Sequence, residues 1–156
     1  MSIMTASSLQ LILLVEDSPE DYEATLRGFK KAGMANPIHR CEDGEEALDY
    51  LFRRGKYADP VLSPRPGVIL LDLNMPGTDG REVLAEIKMD EDLKTIPVIV
   101  LTTSADDRDI EQCYKAGANS YVRKPVDLAG FMRAIEQLSN YWFSITILPK
   151  CEEPSR

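Results

Sequence analysis

The 156-residue sequence predicts an α/β protein built as a doubly wound, parallel five-stranded sheet of (βα)5 type. Three observations lead there. Five short β-prone runs recur along the chain, at 11–15, 37–41, 68–71, 98–101 and 120–122. Most are continuously apolar rather than alternating, as expected of strands covered on both faces. Each is followed by a stretch with helical apolar spacing, and right-handed crossovers assemble such units into an open parallel sheet.

The elements follow in order. LILLV at 11–15 ends on Glu16 and Asp17, and Ser18-Pro19 then supplies an N-cap with proline at the first helical position. Tyr22, Leu26 and Phe29 form the first helical stripe. The run at 37–41 is the least apolar, and Ala47, Leu48, Leu51 and Phe52 form the stripe after it. A long connection at 55–67 carries Pro60, Pro64 and Pro66. The third run, at 68–71, delivers Asp72 at its end and turns away through Met75-Pro76-Gly77. Val83, Leu84 and Ile87 make the third stripe. Thr102 follows the fourth run; Asp106, Asp107 and Asp109 are a capped, acidic helix start. Ile110, Cys113 and Tyr114 form the fourth stripe, closed by Gly117. After the fifth run comes Lys124-Pro125, a bond able to adopt the cis form, which would aim the lysine inward. Leu128, Phe131, Ile135, Leu138 and Trp142 make the last stripe.

Bulk properties exclude several classes. A composition 44% hydrophobic and 28% charged is that of a globular chain, long enough for one domain with its own core. A net charge of −8 argues against a nucleic-acid partner, which calls for a basic patch. Lys30-Lys31 and Arg53-Arg54 read as solvated helix faces. Cys41, Cys113 and Cys151 are odd in number and lack metal-ligand spacing, so they read as reduced thiols. His39, the sole histidine, reads as structural, with no partner ligand nearby. The start lacks a signal-peptide pattern and no apolar run has membrane-spanning length, so the expected location is cytoplasmic, without a membrane partner.

In open α/β sheets ligands bind beyond the carboxyl ends of the strands, near the switch point of strand order. The first and third runs place Glu16, Asp17 and Asp72 there. Crowded carboxylates cost stability unless a cation sits among them. The loop Glu-Asp-Ser-Pro-Glu-Asp repels phosphate, which excludes a flavin mononucleotide site. A divalent ion reverses that logic by binding carboxylates and then attracting phosphoryl oxygens, and Mg²⁺ suits the all-oxygen set. Glu16 and Asp17 fit metal-holding roles; Asp72 fits either a ligand or a nucleophile accepting phosphoryl as an acyl phosphate. Thr102 adds a hydroxyl to the same rim, and Lys124 an ammonium able to pair with Asp72 or with phosphate.

With Glu16-Asp17, Asp72, Asn74-Met75-Pro76-Gly77, Asp79-Gly80, Thr102, Ala116-Gly117-Ala118, Tyr121 and Lys124-Pro125 in this order and spacing, the chain resembles the receiver domain of bacterial two-component response regulators. The resemblance implies a flavodoxin-like receiver fold with strand order 2-1-3-4-5, at residues 10–141. A flexible N-terminus at 1–9 and an extension at 142–156 flank it. It further implies that Asp17, Asp72 and the Asn74 carbonyl bind Mg²⁺ with help from Glu16. Asp72 is then the acceptor of a phosphoryl group from a histidine kinase, Thr102 and Tyr121 the switch pair, and Lys124 a phosphoryl contact. The acid pair is Glu-Asp where the chemotaxis receiver has Asp-Asp, a variant that keeps the metal role. The connection at 55–67, the LTTS run and the tail YWFSITILP are similar to regulators serving bacterial phytochromes, which implies a phytochrome-type kinase. With the chain ending soon after the fifth helix, a receiver without an output domain is expected.

Two other functions compete. A Mg²⁺-dependent aspartate-nucleophile phosphatase of the haloacid dehalogenase type needs a second aspartate two residues after the nucleophile, and that position is Asn74. A non-phosphorylated adaptor would not need the complete set of acids, threonine and lysine. The expectation is therefore a phosphoacceptor switch that assists only its own phosphorylation and dephosphorylation, not an enzyme with an independent substrate. Tyr141, Trp142, Phe143, Ile145, Ile147 and Leu148 place six apolar residues within eight. They either cover the core or join the face of helix four, strand five and helix five in a homodimer, and the homodimer is the expectation.

Overall fold

The computed structural model describes residues 10–75, 77, 79–103 and 106–145, side chains of 143–145 excepted. The expected flexible segment at 1–9, Pro76 and most of the tail lie outside the described residues.

Five parallel strands form one sheet in the order β2-β1-β3-β4-β5. They are β1 (Ile12–Val15), β2 (Ile38–Cys41), β3 (Val68–Asp72), β4 (Val98–Thr102) and β5 (Ser120–Arg123). The helices are α1 (Pro19–Lys31), α2 (Gly44–Phe52), α3 (Gly80–Met89), α4 (Asp107–Lys115) and α5 (Leu128–Ser139). A π-helical segment, Asn140–Ile145, continues α5. This is the flavodoxin-like receiver architecture that the sequence implies. Among the described residues no helix is long and apolar enough to cross a membrane.

The central strands are buried on both faces, which is why their sequences do not alternate. Period-two geometry splits them between two cores. Leu13, Val15, Ile69, Leu71, Val98 and Val100 meet α2, α3 and Cys113 of α4. Ile12, Leu14, Val68, Leu70, Ile99 and Leu101 meet α1 and α5. Register brings the functional strand ends together: Val15 is opposite Leu71, Asp72 opposite Leu101, and Thr102 opposite Arg123. Both Asp72 and Thr102 are the last residues of their strands.

Two helix starts are set by caps that the sequence shows. Ser18 Oγ accepts from the Asp21 amide, with Pro19 at the first position, and Asp106 accepts from the Arg108 amide. Asp79 caps α3, and Gly80 follows it against β3: a Cβ there would stand 2.7 Å from the Asp72 carbonyl and 2.8 Å from Leu73 Cα. Both are backbone atoms, so neither can rotate away. Gly80→Ala is expected to cost about 1–3 kcal/mol as overpacking, read as a lower urea midpoint at unchanged slope.

Two helical faces differ from the sequence expectation. α1 buries Ala24, Thr25, Gly28 and Phe29, while Tyr22 and Leu26 are only half-buried. The reason is close contact with α5, where a Cβ on Gly28 would lie 2.7 Å from the Ile135 side chain. α2 buries Tyr50 and leaves Phe52 at the surface, since the Tyr50 hydroxyl donates to the Pro64 carbonyl at 2.6 Å. The connection at 55–67 is well tied. It begins in a short 3₁₀ turn, Gly55–Tyr57; Ser63 Oγ donates to the Tyr57 and Asp59 carbonyls, and Arg65 donates to the Leu51 carbonyl. Arg53 is not on a solvated helix face: it ends α2 in the left-handed region at φ 55° and donates to the Ser63 carbonyl. Trp142 packs in the α1/α5 core as the last member of the α5 stripe, and Tyr141 is exposed.

Candidate functional site

Strand ends β1, β3, β4 and β5 meet at one rim of the sheet. Buried apolar strands leave their backbones no freedom there, so the side chains of the terminal residues converge. One carboxylate oxygen each from Glu16, Asp17 and Asp72 lies within 4.8 Å of the others. Glu16 and Asp72 are buried and Asp17 is half-buried, so the group has a closed floor and an open mouth.

Lys124 closes the cluster from β5. Its amide donates to the Thr102 carbonyl at 2.7 Å, fixing where the side chain begins. Its ammonium contacts Glu16 Oε1 at 2.7 Å, Asp21 Oδ2 at 3.0 Å and Asp72 Oδ2 at 3.3 Å. The Lys124-Pro125 bond is trans, and no described peptide bond is cis. Three carboxylates draw the lysine inward without help from the backbone isomer.

The electrostatics are those of an acid pocket short of cations. Burial first, and then the hydrogen bond and charge of Asp72, push the Glu16 carboxyl up to about 8, against the pull of Lys124. Burial pulls the Lys124 ammonium down, but Asp72, Glu16 and Asp21 outweigh it and hold the group above its ordinary value. One ammonium facing three carboxylates leaves negative charge in excess. The all-oxygen donor set of Glu16, Asp17 and Asp72 fits a hard divalent ion such as Mg²⁺.

Asn74 ties the acid pocket to β4. Its amide donates to Asp72 Oδ1 at 3.0 Å, and its Nδ2 donates to Thr102 Oγ1 and Thr103 Oγ1, each at 3.0 Å. Thr102 is fully buried beneath it. Tyr121 is half-buried against the α2/α3/α4 core, and its amide donates to the Tyr114 hydroxyl at 3.2 Å. All the expected site residues therefore lie at one end of the sheet or on the adjoining β5 face.

Sequence reasoning missed two residues. Asp21 reads as an ordinary first-turn acid of α1, yet it is the third partner of Lys124. Only its position, one turn after the Glu16-Asp17 loop, could have flagged it. Arg40 donates from Nε to the Glu16 carbonyl at 3.0 Å and from NH2 to the Asp17 carbonyl at 3.2 Å. The positive guanidinium thus clasps the backbone of the acid loop while it stacks on Tyr22 at 4.7 Å.

A βα sheet with an acid cluster, a threonine and a lysine on its carboxyl rim defines a phosphoacceptor receiver as a class. The response regulator receiver domain family matches residues 12–136, and the chain belongs to that family. Response regulator Rcp1 of Synechocystis sp. is 40% identical over 140 residues, covering 90% of this chain and 93% of that one. The crystal structure of Mn²⁺-bound Rcp1 superposes with a TM-score of 0.85, covering 90% of this chain and 99% of that one at 40% identity. The phosphorylated cyanobacterial phytochrome response regulator RcpA does so equally well, with TM-score 0.85, 39% identity and coverage of 91% and 99%. The chain is thus a two-component receiver related to phytochrome response regulators, acting in phosphorylation-based signalling.

Proposed function

We propose that this receiver takes a phosphoryl group on Asp72 from a phytochrome-type histidine kinase in a Mg²⁺-dependent reaction. The observation that carries this reading is the position of Asp72, the last residue of β3, which shares a cluster with Glu16 and Asp17 and lies 3.3 Å from the Lys124 ammonium. No other acid in that cluster ends the central strand. Asp17, Asp72 and the Asn74 carbonyl would hold the ion, with Glu16 assisting. When bound, Mg²⁺ supplies the positive charge that lets an anionic phosphoryl group approach carboxylates.

An Asp72 carboxylate oxygen attacks phosphorus and forms the acyl phosphate O–P bond. The P–N bond of the donor phosphohistidine breaks, and the imidazole leaves with the electron pair. Lys124 moves its ammonium from the Asp72 carboxylate to a phosphoryl oxygen, remaining paired with Glu16. Thr102 turns its hydroxyl from Asn74 to the phosphoryl group. The protein turns over no independent substrate. The net charge of −8 supports protein partners over nucleic acid, and a cytoplasmic kinase partner completes the reading. Incubation with Mg²⁺ and a small phosphodonor is expected to add one phosphoryl group by intact mass. Asp72→Asn is expected to add none, and a label kept by that variant would sink the assignment.

Output follows from Thr102. Its movement changes the space beside Tyr121, and inward rotation of that ring reshapes the face of α4, β5 and α5. Phosphate shifts the population between two states by no more than its difference in contacts between them. Tyr114, Leu128 and Tyr141 already expose large apolar surface on these elements or just beyond them. This exposure supports a two-fold homodimer through that face and the extension at 142–156, whose first residue, Trp142, is itself packed in the core of the single chain. Sedimentation of the parent is expected to give a dimer whose affinity depends on phosphorylation. Tyr121→Ala is expected to be phosphorylated as well as the parent but to lose that dependence. A parent that stays monomeric at high concentration in both states refutes the dimer.

A further inference from the structure

We propose a second metal site, for a borderline-soft divalent transition ion such as Zn²⁺, formed by His39, Cys41 and Glu46 with the Tyr57 hydroxyl. It is separate from the acid cluster and rests on none of the signalling assignments. In the sequence no residue near His39 offers a partner ligand, and the cysteines have no ligand spacing. The fold corrects both points. A ring nitrogen of His39, the Cys41 sulfur and a Glu46 carboxylate oxygen lie within 4.8 Å of one another.

Local structure explains the convergence. His39 and Cys41 are two apart on β2 and so project to the same face. Asp43 caps α2 and starts it directly above that face, which brings in Glu46 one turn later. The 3₁₀ turn then places the Tyr57 hydroxyl between the others, 2.9 Å from His39 Nε2 and 2.5 Å from Glu46 Oε2. A nitrogen, a sulfur and a carboxylate oxygen thus lie together, and the Tyr57 hydroxyl is hydrogen-bonded to the first and the last of these side chains. That donor set suits zinc rather than magnesium, because thiolate and imidazole are softer than carboxylate.

A cation is already drawn to this place. The Lys56 ammonium sits 3.1 Å from Glu46 Oε2 and 5.1 Å from the centre of the Tyr57 ring. Lys56 is exposed and Glu46 mostly covered, so the lysine can swing into solvent and leave an opening. An exposed ion pair of this kind holds its partner weakly. Burial lowers His39 below its ordinary value and favours the neutral ring that a metal needs. Cys41 is fully buried and protonated in the free protein; on coordination the thiol proton passes to solvent and the sulfur binds as thiolate. Tyr57 then gives up its hydrogen bond to Glu46, freeing the carboxylate.

Cobalt(II) is the probe, since a cobalt–thiolate bond gives a near-ultraviolet charge-transfer band that all-oxygen sites lack. Titration of the full, metal-free chain in a non-thiol reductant is expected to produce that band to one equivalent, and Zn²⁺ to abolish it. Cys41→Ala is expected to remove the band, whereas Asp17→Ala, which disturbs only the acid cluster, keeps it. Should Cys41→Ala fail to fold, Glu46→Gln decides, with cobalt affinity at this site expected to fall by roughly tenfold or more. No band in the parent, a band that survives Cys41→Ala, or unchanged affinity in Glu46→Gln overturns the proposal.

Discussion

Lys124→Met is expected to destabilise the metal-free protein by about 3–5 kcal/mol, the usual cost of removing one partner from a buried ion pair. The lysine is the shared counter-charge of Glu16, Asp21 and Asp72, and both Glu16 and Asp72 are buried. Methionine keeps the apolar stem, so the loss reports charge and not packing. Glu16 gives the effect a pH dependence of known sign. Its folded value of about 8 lies above the ordinary 4.5, so the folded state holds the extra proton within that window. The Glu16 contribution is fully favourable below about 4.5 and is lost as pH rises through 8. Without Lys124 the window extends upward, so Lys124→Met costs least in mild acid and most in alkali. At pH 9, where Glu16 is ionised, adding Glu16→Gln removes a charge that Lys124 neutralises, and the double variant is expected to recover part of the loss there. Urea midpoints of the four proteins at pH 6 and pH 9 provide the check. Equal stability of parent and Lys124→Met at pH 9 would mean that the carboxylates are not in one pocket.

Mg²⁺ is expected to raise stability by about 2.7 kcal/mol at one hundred times its dissociation constant. The ion relieves the same excess charge that Lys124 only partly offsets. Asp17→Ala is expected to abolish the metal-dependent rise in Tm, because Asp17 is the most accessible of the three clustered acids. The metal-free variant is expected to melt slightly above the metal-free parent, since one repelling carboxylate is gone. Differential scanning calorimetry with and without Mg²⁺ measures both quantities. A rise that persists in Asp17→Ala would move the ion elsewhere.

The sheet was readable in the sequence because its central strands are buried on both faces and so appear as unbroken apolar runs. Asp72 and Thr102 were readable for the related reason that a polar residue ending such a run has to be at the rim. Helical faces were less legible. The α1 stripe chosen from large residues missed the face defined by Gly28, where small size permits contact with Ile135. Phe52 was expected inside and Tyr50 was found there, because a hydrogen bond to Pro64 satisfies the buried hydroxyl. Asp21 was hidden for a different reason. Its partner lies 103 positions away, and no local pattern separates an acid that pairs with a distant lysine from one that complements a helix dipole. The His39, Cys41 and Glu46 grouping has no local pattern either, since it joins a strand face to the helix packed above it.

Chemical trapping of the acyl phosphate tests the identity of the acceptor most directly. The full chain is phosphorylated with a small phosphodonor and Mg²⁺, reduced at once with borohydride, digested, and mapped by mass spectrometry. An aspartyl phosphate is converted to homoserine, so the predicted result is homoserine at position 72 and unmodified Glu16, Asp17 and Asp21. Reduction at any of those three acids, or an intact Asp72 in protein that had gained the phosphoryl mass, would contradict it.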